Sequence, residues 1–181
     1  MGQIRINKSE AARRQLDSAI RMLFSNEDLV AIFTLAVAGL NIVKGLAEKR
    51  TDLVFQEGLK RLIRPGTEKE FWQNIQRPAN FLKHADRDPE AILDDGEDED
   101  IDWTLFIACM YYKDLGFQLT PEMSALISWH MSIHKDVLLE EKQNIFAVEQ
   151  IGKMLISKSR VEQLKIGKEF IVFFRSYHNR Y

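Results

Sequence analysis

Residues 77–88 read RPANFLKHADRD, and on a helix Arg77, Asn80 and His84 sit at i, i+3 and i+7, on one face, with Lys83 and Arg87 beside them. Those residue types at that spacing suit phosphodiester chemistry. A guanidinium grips a phosphate with two parallel hydrogen bonds, an amide orients it, and an imidazole moves a proton near neutral pH. Lys83 and Arg87 would add phosphate-binding charge. The competing reading is plainer: Arg77, Lys83 and Arg87 solvate the outside of a helix and pair with the acidic segment that follows.

Other constellations are weaker. His84, Asp86 and Asp88 alternate, which would bring them to one side of an extended chain able to hold a divalent ion, but on a helix they diverge. The run DDGEDEDID at 94–102 has the composition of a calcium loop without the EF-hand spacing, and reads as a solvated, mobile loop over 94–100 with Asp100 or Asp102 capping the next helix. His130 and His134 are four apart and could share a zinc ion, yet no third ligand stands at the required spacing, so a packed or hydrogen-bonded core pair is expected. Trp103, Trp129, Tyr111 and Tyr112 are expected in the core or an interface rather than as base-stacking platforms. No glycine-rich phosphate loop and no paired-cysteine motif occurs, so no metal or cofactor is expected.

The elements that must position these residues belong to a chain of 181 residues, 45% apolar and 29% charged, enough for one domain with a real core. The net charge of −2 excludes a global positive field but conceals an uneven layout. Ten acids against Arg87 alone lie from Asp86 to Asp102, whereas seven bases against Glu162 and Glu169 lie from Lys153 to Tyr181. Cys109 is the single cysteine, in the apolar run LFIACMYY, which fits a buried small hydrophobe and a reducing cytoplasm. The opening MGQIRINKSEAARR never reaches an apolar core, so no signal peptide is expected. LVAIFTLAVAGLNIV at 29–43 is short for a bilayer span and reads as the central buried helix of a bundle.

Helix signals recur along the chain. Asn7 with Glu10 opens a first helix over about 8–24, with Ala12, Leu16, Ala19, Ile20, Leu23 and Phe24 facing inward. Asp28 opens the second, to about Glu48, and a third spans Asp52 to about Ile63. Thr67 and Glu70 form another capping box ahead of the fourth, whose inward residues are Phe71, Trp72, Ile75, Ala79 and Leu82, and which Pro78 is expected to kink or split near Gln76. A fifth helix over about Asp102 to Leu115 ends at Gly116, and Thr120-Pro121-Glu122 opens a sixth, to about Leu139. Stretches at about 141–157 and 160–177 complete the chain, the last docking Phe170, Phe173 and Phe174 with Lys168 and Arg175 left in water. The expectation is an all-α, single-domain bundle of six to eight helices, homodimeric through an apolar helix face, with no membrane span.

The stretch NFLKHADRDP at 80–89, with INKSEAARRQLDSAIR at 6–21, resembles a family of small uncharacterised helical bacterial proteins. A helical bundle carrying an Arg, six residues and then a His also resembles the HEPN superfamily, many of whose members are metal-independent endoribonucleases of toxin–antitoxin and phage-defence systems. The residue after the Arg, usually polar in that pattern, is here Pro78, and Asn80 is the nearest polar substitute. This second resemblance implies that His84 acts as acid and base at a ribose 2′-hydroxyl, that Arg77 stabilises the phosphorane charge, and that two protomers face their motifs across a dimer groove. The expected function is HEPN-like RNA handling. The alternative is a noncatalytic module binding a protein partner through the acidic loop and the basic C-terminal helix.

Overall fold

In the computed structural model, which describes residues 5–83, 90, 92–93, 98–134 and 152–178, every regular element is a helix. They run α1 (Lys8–Phe24), α2 (Leu29–Ala47), α3 (Val54–Leu62), α4 (Glu68–Lys83), α5 (Asp98–Asp114), α6 (Pro121–Ile133), a short segment α7 (152–156) and α8 (Arg160–His178). The architecture is an all-α bundle, with α2 against α1 on one side and α5 on the other. α6 and α8 pack together and onto α1, α4 lies on α2, and α3 lies on α5.

The first helix forms as its sequence requires. Asn7 accepts the Glu10 N–H at 2.8 Å, and the six inward residues are buried to within 2% exposure. Glu10 leaves the capping box incomplete, because its carboxylate instead takes Arg13 and Arg14 at 2.7 Å. Asp28 caps α2 through the Ala31 N–H, and Thr120 caps α6 through that of Met123. α2 extends to 19 residues at a mean hydropathy of 2.0, longer than its apolar run, and by length and composition such a helix could cross a membrane. Ile32, Phe33, Ala36, Val37, Leu40, Val43 and Ala47 are buried in the core, while Leu29 and Val30 at its start stay exposed.

One expectation about helix ends is narrowed and one is corrected. Pro78 does not split α4, which continues to Lys83. The lost backbone hydrogen bond is offset by packing: Pro78 and Ala79 are both buried, and the amides of Asn41 on α2 and Gln76 on α4 pair at 2.6 and 3.3 Å. α5 begins at Asp98, not Asp102, so Asp98, Glu99 and Asp100 form its first turn, where carboxylates oppose the positive end of the helix dipole. That moves 98–100 out of the expected loop; 94–97 lie outside the described residues.

Several helices meet only because a side chain is missing. A Cβ at Gly39 would stand 2.7 Å from Leu16 Cδ2, so this glycine sets how closely α2 approaches α1. At Gly167 of α8 a Cβ would overlap the edge of the Phe24 ring, itself held edge-on against Trp129 with centroids 5.4 Å apart. Gly45 has nothing within 4 Å of its Cβ position. Gly167→Ala should therefore destabilise by about 1–3 kcal/mol through overpacking, while Gly45→Ala should stabilise by about 0.5–1 kcal/mol through helix propensity. Thermal and urea unfolding of the two variants should move in opposite directions.

Candidate functional site

α4 carries the phosphate-handling candidate. Arg77 and Asn80 are one turn apart and both exposed, flanking the buried Pro78–Ala79 pair. Lys83 is the last residue of the helix; His84 and Arg87 lie outside the described residues, as do Asp86 and Asp88. The structure thus brings Arg77 and Asn80 together on one accessible face. Of the residues expected inward, Ala79 is buried, Phe71, Trp72 and Ile75 are half-buried, and Leu82 is 37% exposed. At the start of α4 the Thr67 hydroxyl donates to the Arg64 carbonyl, and the Glu68 carboxylate accepts the Gly66 N–H.

The first half of the same helix borders a cleft of about 310 Å³ that sequence reasoning did not find. α2 supplies Lys44 and Glu48, α3 supplies Gln56, Leu59 and Lys60, Ile63 follows it, α4 supplies Glu68 and Trp72, and α5 supplies Tyr111. The Lys44 ammonium sits 4.9 Å from the Trp72 ring centroid and 2.9 Å from Glu48. Tyr111 packs edge-on against Phe55 at 5.3 Å, and burial pushes its phenol up to about 12. The position of α3 is fixed from outside it. Asp114, at the end of α5, accepts the N–H groups of Val54, Phe55 and Gln56 at 3.1, 3.0 and 3.3 Å, serving as an N-cap from another helix. No local sequence signal marks such a cap, because its carboxylate lies some sixty residues away.

His130 and His134 form a packed cluster. His130 is fully buried, stacked on Phe106 at 4.4 Å and against Trp103 at 4.5 Å, and neither of its ring nitrogens has a hydrogen-bond partner. Burial, with the neighbouring His134 and Arg160, pulls its pKa down to about 3. His134 lies 3.8 Å from Glu99. Beside the cluster Asp102, one of the two acids expected to cap α5, instead lies inside that helix, buried, and takes both ends of the Arg160 guanidinium at 2.6 and 2.8 Å. Burial raises the Asp102 carboxyl to about 6 against the pull of Arg160.

The C-terminal helix departs from expectation. Leu164, Gly167 and Ile171 are its buried residues, Phe170 and Phe174 are half-buried, and Phe173 is 62% exposed, because it falls one residue off that inward stripe. Arg175 is not simply left in water: it and Arg21 share Glu122 Oε1 at 2.5 and 3.0 Å. Burial works to raise the Glu122 carboxyl, and the hydrogen bonds from Arg175 and Arg21 outweigh it and hold it low. Cys109 is buried as expected, its thiol pushed up by desolvation.

The buried imidazole predicts acid sensitivity. An unfolded His130 takes a proton below its ordinary 6.5, whereas the folded one resists until about 3. The stability contributed by this imidazole should therefore fall progressively as pH drops across that interval. Asp102 acts oppositely: its raised carboxyl is protonated first in the fold, adding stability as pH drops through about 6, and it contributes to both members of a mutant comparison. His130→Leu should therefore gain on the wild type as pH falls from 7 to 5, measured by urea unfolding at each pH. Asp114→Ala should cost about 1–2 kcal/mol through loss of the cap. Comparison with models of protein families, with curated proteins and with solved structures gives no match to this chain.

Proposed function

We propose that this is a HEPN-like RNA-handling protein in which Arg77 and His84, supported by Asn80, carry a metal-independent cleavage of the phosphodiester chain. The observation that supports it is the continuity of α4 through Pro78. Arg77 and Asn80 share an exposed face, and the helix continues to Lys83, the residue before His84. Carried one residue further, that register would set His84 two turns from Arg77 on the same side. His84 would take the proton of the ribose 2′-hydroxyl as its oxygen attacks the adjacent phosphorus. Arg77 would bind the non-bridging oxygens where charge accumulates, the P–O5′ bond would break as His84 returns its proton to the departing 5′-oxygen, and a 2′,3′-cyclic phosphate would be left. Lys83 and Arg87 would hold the flanking phosphates, and a second copy of the chain would close the groove.

The alternative, a noncatalytic protein-binding module, is favoured by the exposure of Val172, Phe173 and Tyr177 on the basic α8. It is weakened because Asp102 and Asp98, from the acidic side, already face Arg160 of α8 within the chain at 2.6 and 4.0 Å.

Incubation of the protein with single-stranded and structured RNA in excess chelator tests the proposal. Wild type should cleave, leaving cyclic phosphate ends. His84→Ala and Arg77→Ala should each lose about 10²–10⁴-fold in rate, and Asn80→Ala less, with unfolding curves unchanged. Equal behaviour of wild type and His84→Ala would end the enzymatic reading. Phe173→Ser with Tyr177→Ser should leave cleavage intact; loss of a salt-sensitive protein complex in that variant would support the alternative.

A further inference from the structure

We infer that the cleft between α2, α3, α4 and α5 is a pocket for a single nucleobase of an RNA strand whose phosphate is handled further along α4. The inference rests on the RNA-handling reading and names the part of the substrate that the cleft would recognise.

The argument begins with charge. Both lysines of the cleft are already matched: Lys44 pairs with Glu48 at 2.9 Å and Lys60 with Glu57 at 2.7 Å. Glu68 adds a further carboxylate at the rim, held by the Gly66 N–H at 3.1 Å. A phosphate gains little from cations so neutralised and is repelled by the carboxylates. An uncharged ring meets no such penalty.

The walls suit a flat ring. Trp72 and Tyr111 present aromatic surface, and Leu59 and Ile63 present aliphatic surface. Stacking of a base on an aromatic side chain tolerates any sequence, because every base has a π-face. Lys44 rests against the Trp72 ring and is a flexible, partly exposed side chain, which a base could displace or sit beside.

One polar group supplies a reason for hydrogen-bonded recognition. Gln56 lines the cleft, and its Oε1 is buried with no hydrogen-bond partner. A buried carbonyl oxygen without a donor is costly in the empty protein and rewards a ligand that brings an N–H group. The amino and imino edges of nucleobases carry such groups, and the Tyr111 phenol can donate to a ring nitrogen or carbonyl. Gln56 is also placed firmly, because its own backbone N–H is one of the three held by Asp114.

The spacing along α4 links base to phosphate. Arg77 lies five residues beyond Trp72, about 7.5 Å along the axis, and Asn80 eight residues beyond it, about 12 Å. At about 100° per residue, Asn80 and then Arg77 also turn away from the Trp72 side toward solvent, so a strand with one base in the cleft would have to wrap partly around α4 to bring a phosphate to that pair.

Tryptophan emission of the full chain, titrated in chelator with adenosine, guanosine, cytidine and uridine, tests this. At least one nucleoside should quench saturably, Trp72→Phe should remove most of the quench, and Gln56→Leu should weaken affinity about tenfold with the melting temperature of the free protein not lowered. Failure of all four nucleosides to quench would overturn the inference. So would an unaltered affinity in Gln56→Leu, or displacement of the nucleoside by inorganic phosphate, which would assign the site to the lysines. The two readings fail separately. Nucleoside binding with no RNA cleavage leaves the cleft and removes the catalytic proposal, whereas cleavage without nucleoside binding does the reverse.

Discussion

The contact of Leu16 with Gly39 brings α1 and α2 together at a distance that no other residue at position 39 would allow without displacing a fully buried side chain. Among the described residues this pair of helices makes the most extensive packing, and α5, α6 and α8 are assembled around it. The same device recurs at Gly167, where α8 lies against the ring of Phe24 from α1. Interiors packed to crystalline density leave little room to relax, so a single methyl at either point would be felt by several helices. The bundle is therefore organised by two absent side chains as much as by the apolar ones present.

Around that apolar centre, carboxylates join elements far apart in sequence. Asp17 of α1 is buried, accepts the Thr120 hydroxyl at 2.6 Å and pairs with Arg13. Glu122 ties α6 to α1 and α8, Asp102 ties α5 to α8, and Asp114 holds the start of α3. Each acid is buried or aimed at a helix end, and each has its oxygens engaged by donors, which is the condition for keeping such a group away from water. His130 is accommodated differently, as an imidazole plate packed among Trp103, Phe106 and His134 with neither ring nitrogen hydrogen-bonded. The acidic composition of the middle of the chain and the basic composition of its end thus meet in part within one molecule, through Arg160.

These ties determine what the surface can do. α3 cannot shift without breaking three hydrogen bonds to Asp114, so the cleft wall it forms is held in place. α4 is tied to α2 through Asn41–Gln76, and Arg77 and Asn80 follow on its exposed side.

Much of this was legible in the sequence, because helix caps and apolar stripes are local. Asn7, Asp28 and Thr120 announce three helix starts, and the spacing of Ala12, Leu16, Ile20 and Leu23 gives the buried face of α1 with no knowledge of its neighbours. The one-face placement of Arg77 and Asn80 follows from the helical repeat alone. What tertiary structure decided depends on residues that meet across long loops. Pro78 reads locally as a kink or a split, yet it is buried and α4 runs through it to Lys83. Asp102 has the character of a cap, yet Arg160 draws it inside; Phe173 belongs to an apolar run, yet the inward stripe of α8 is set by Gly167 and passes it by. The cleft at Gln56 and Trp72 was invisible for the same physical reason: its walls come from four helices, and a cavity is a property of how surfaces fail to meet.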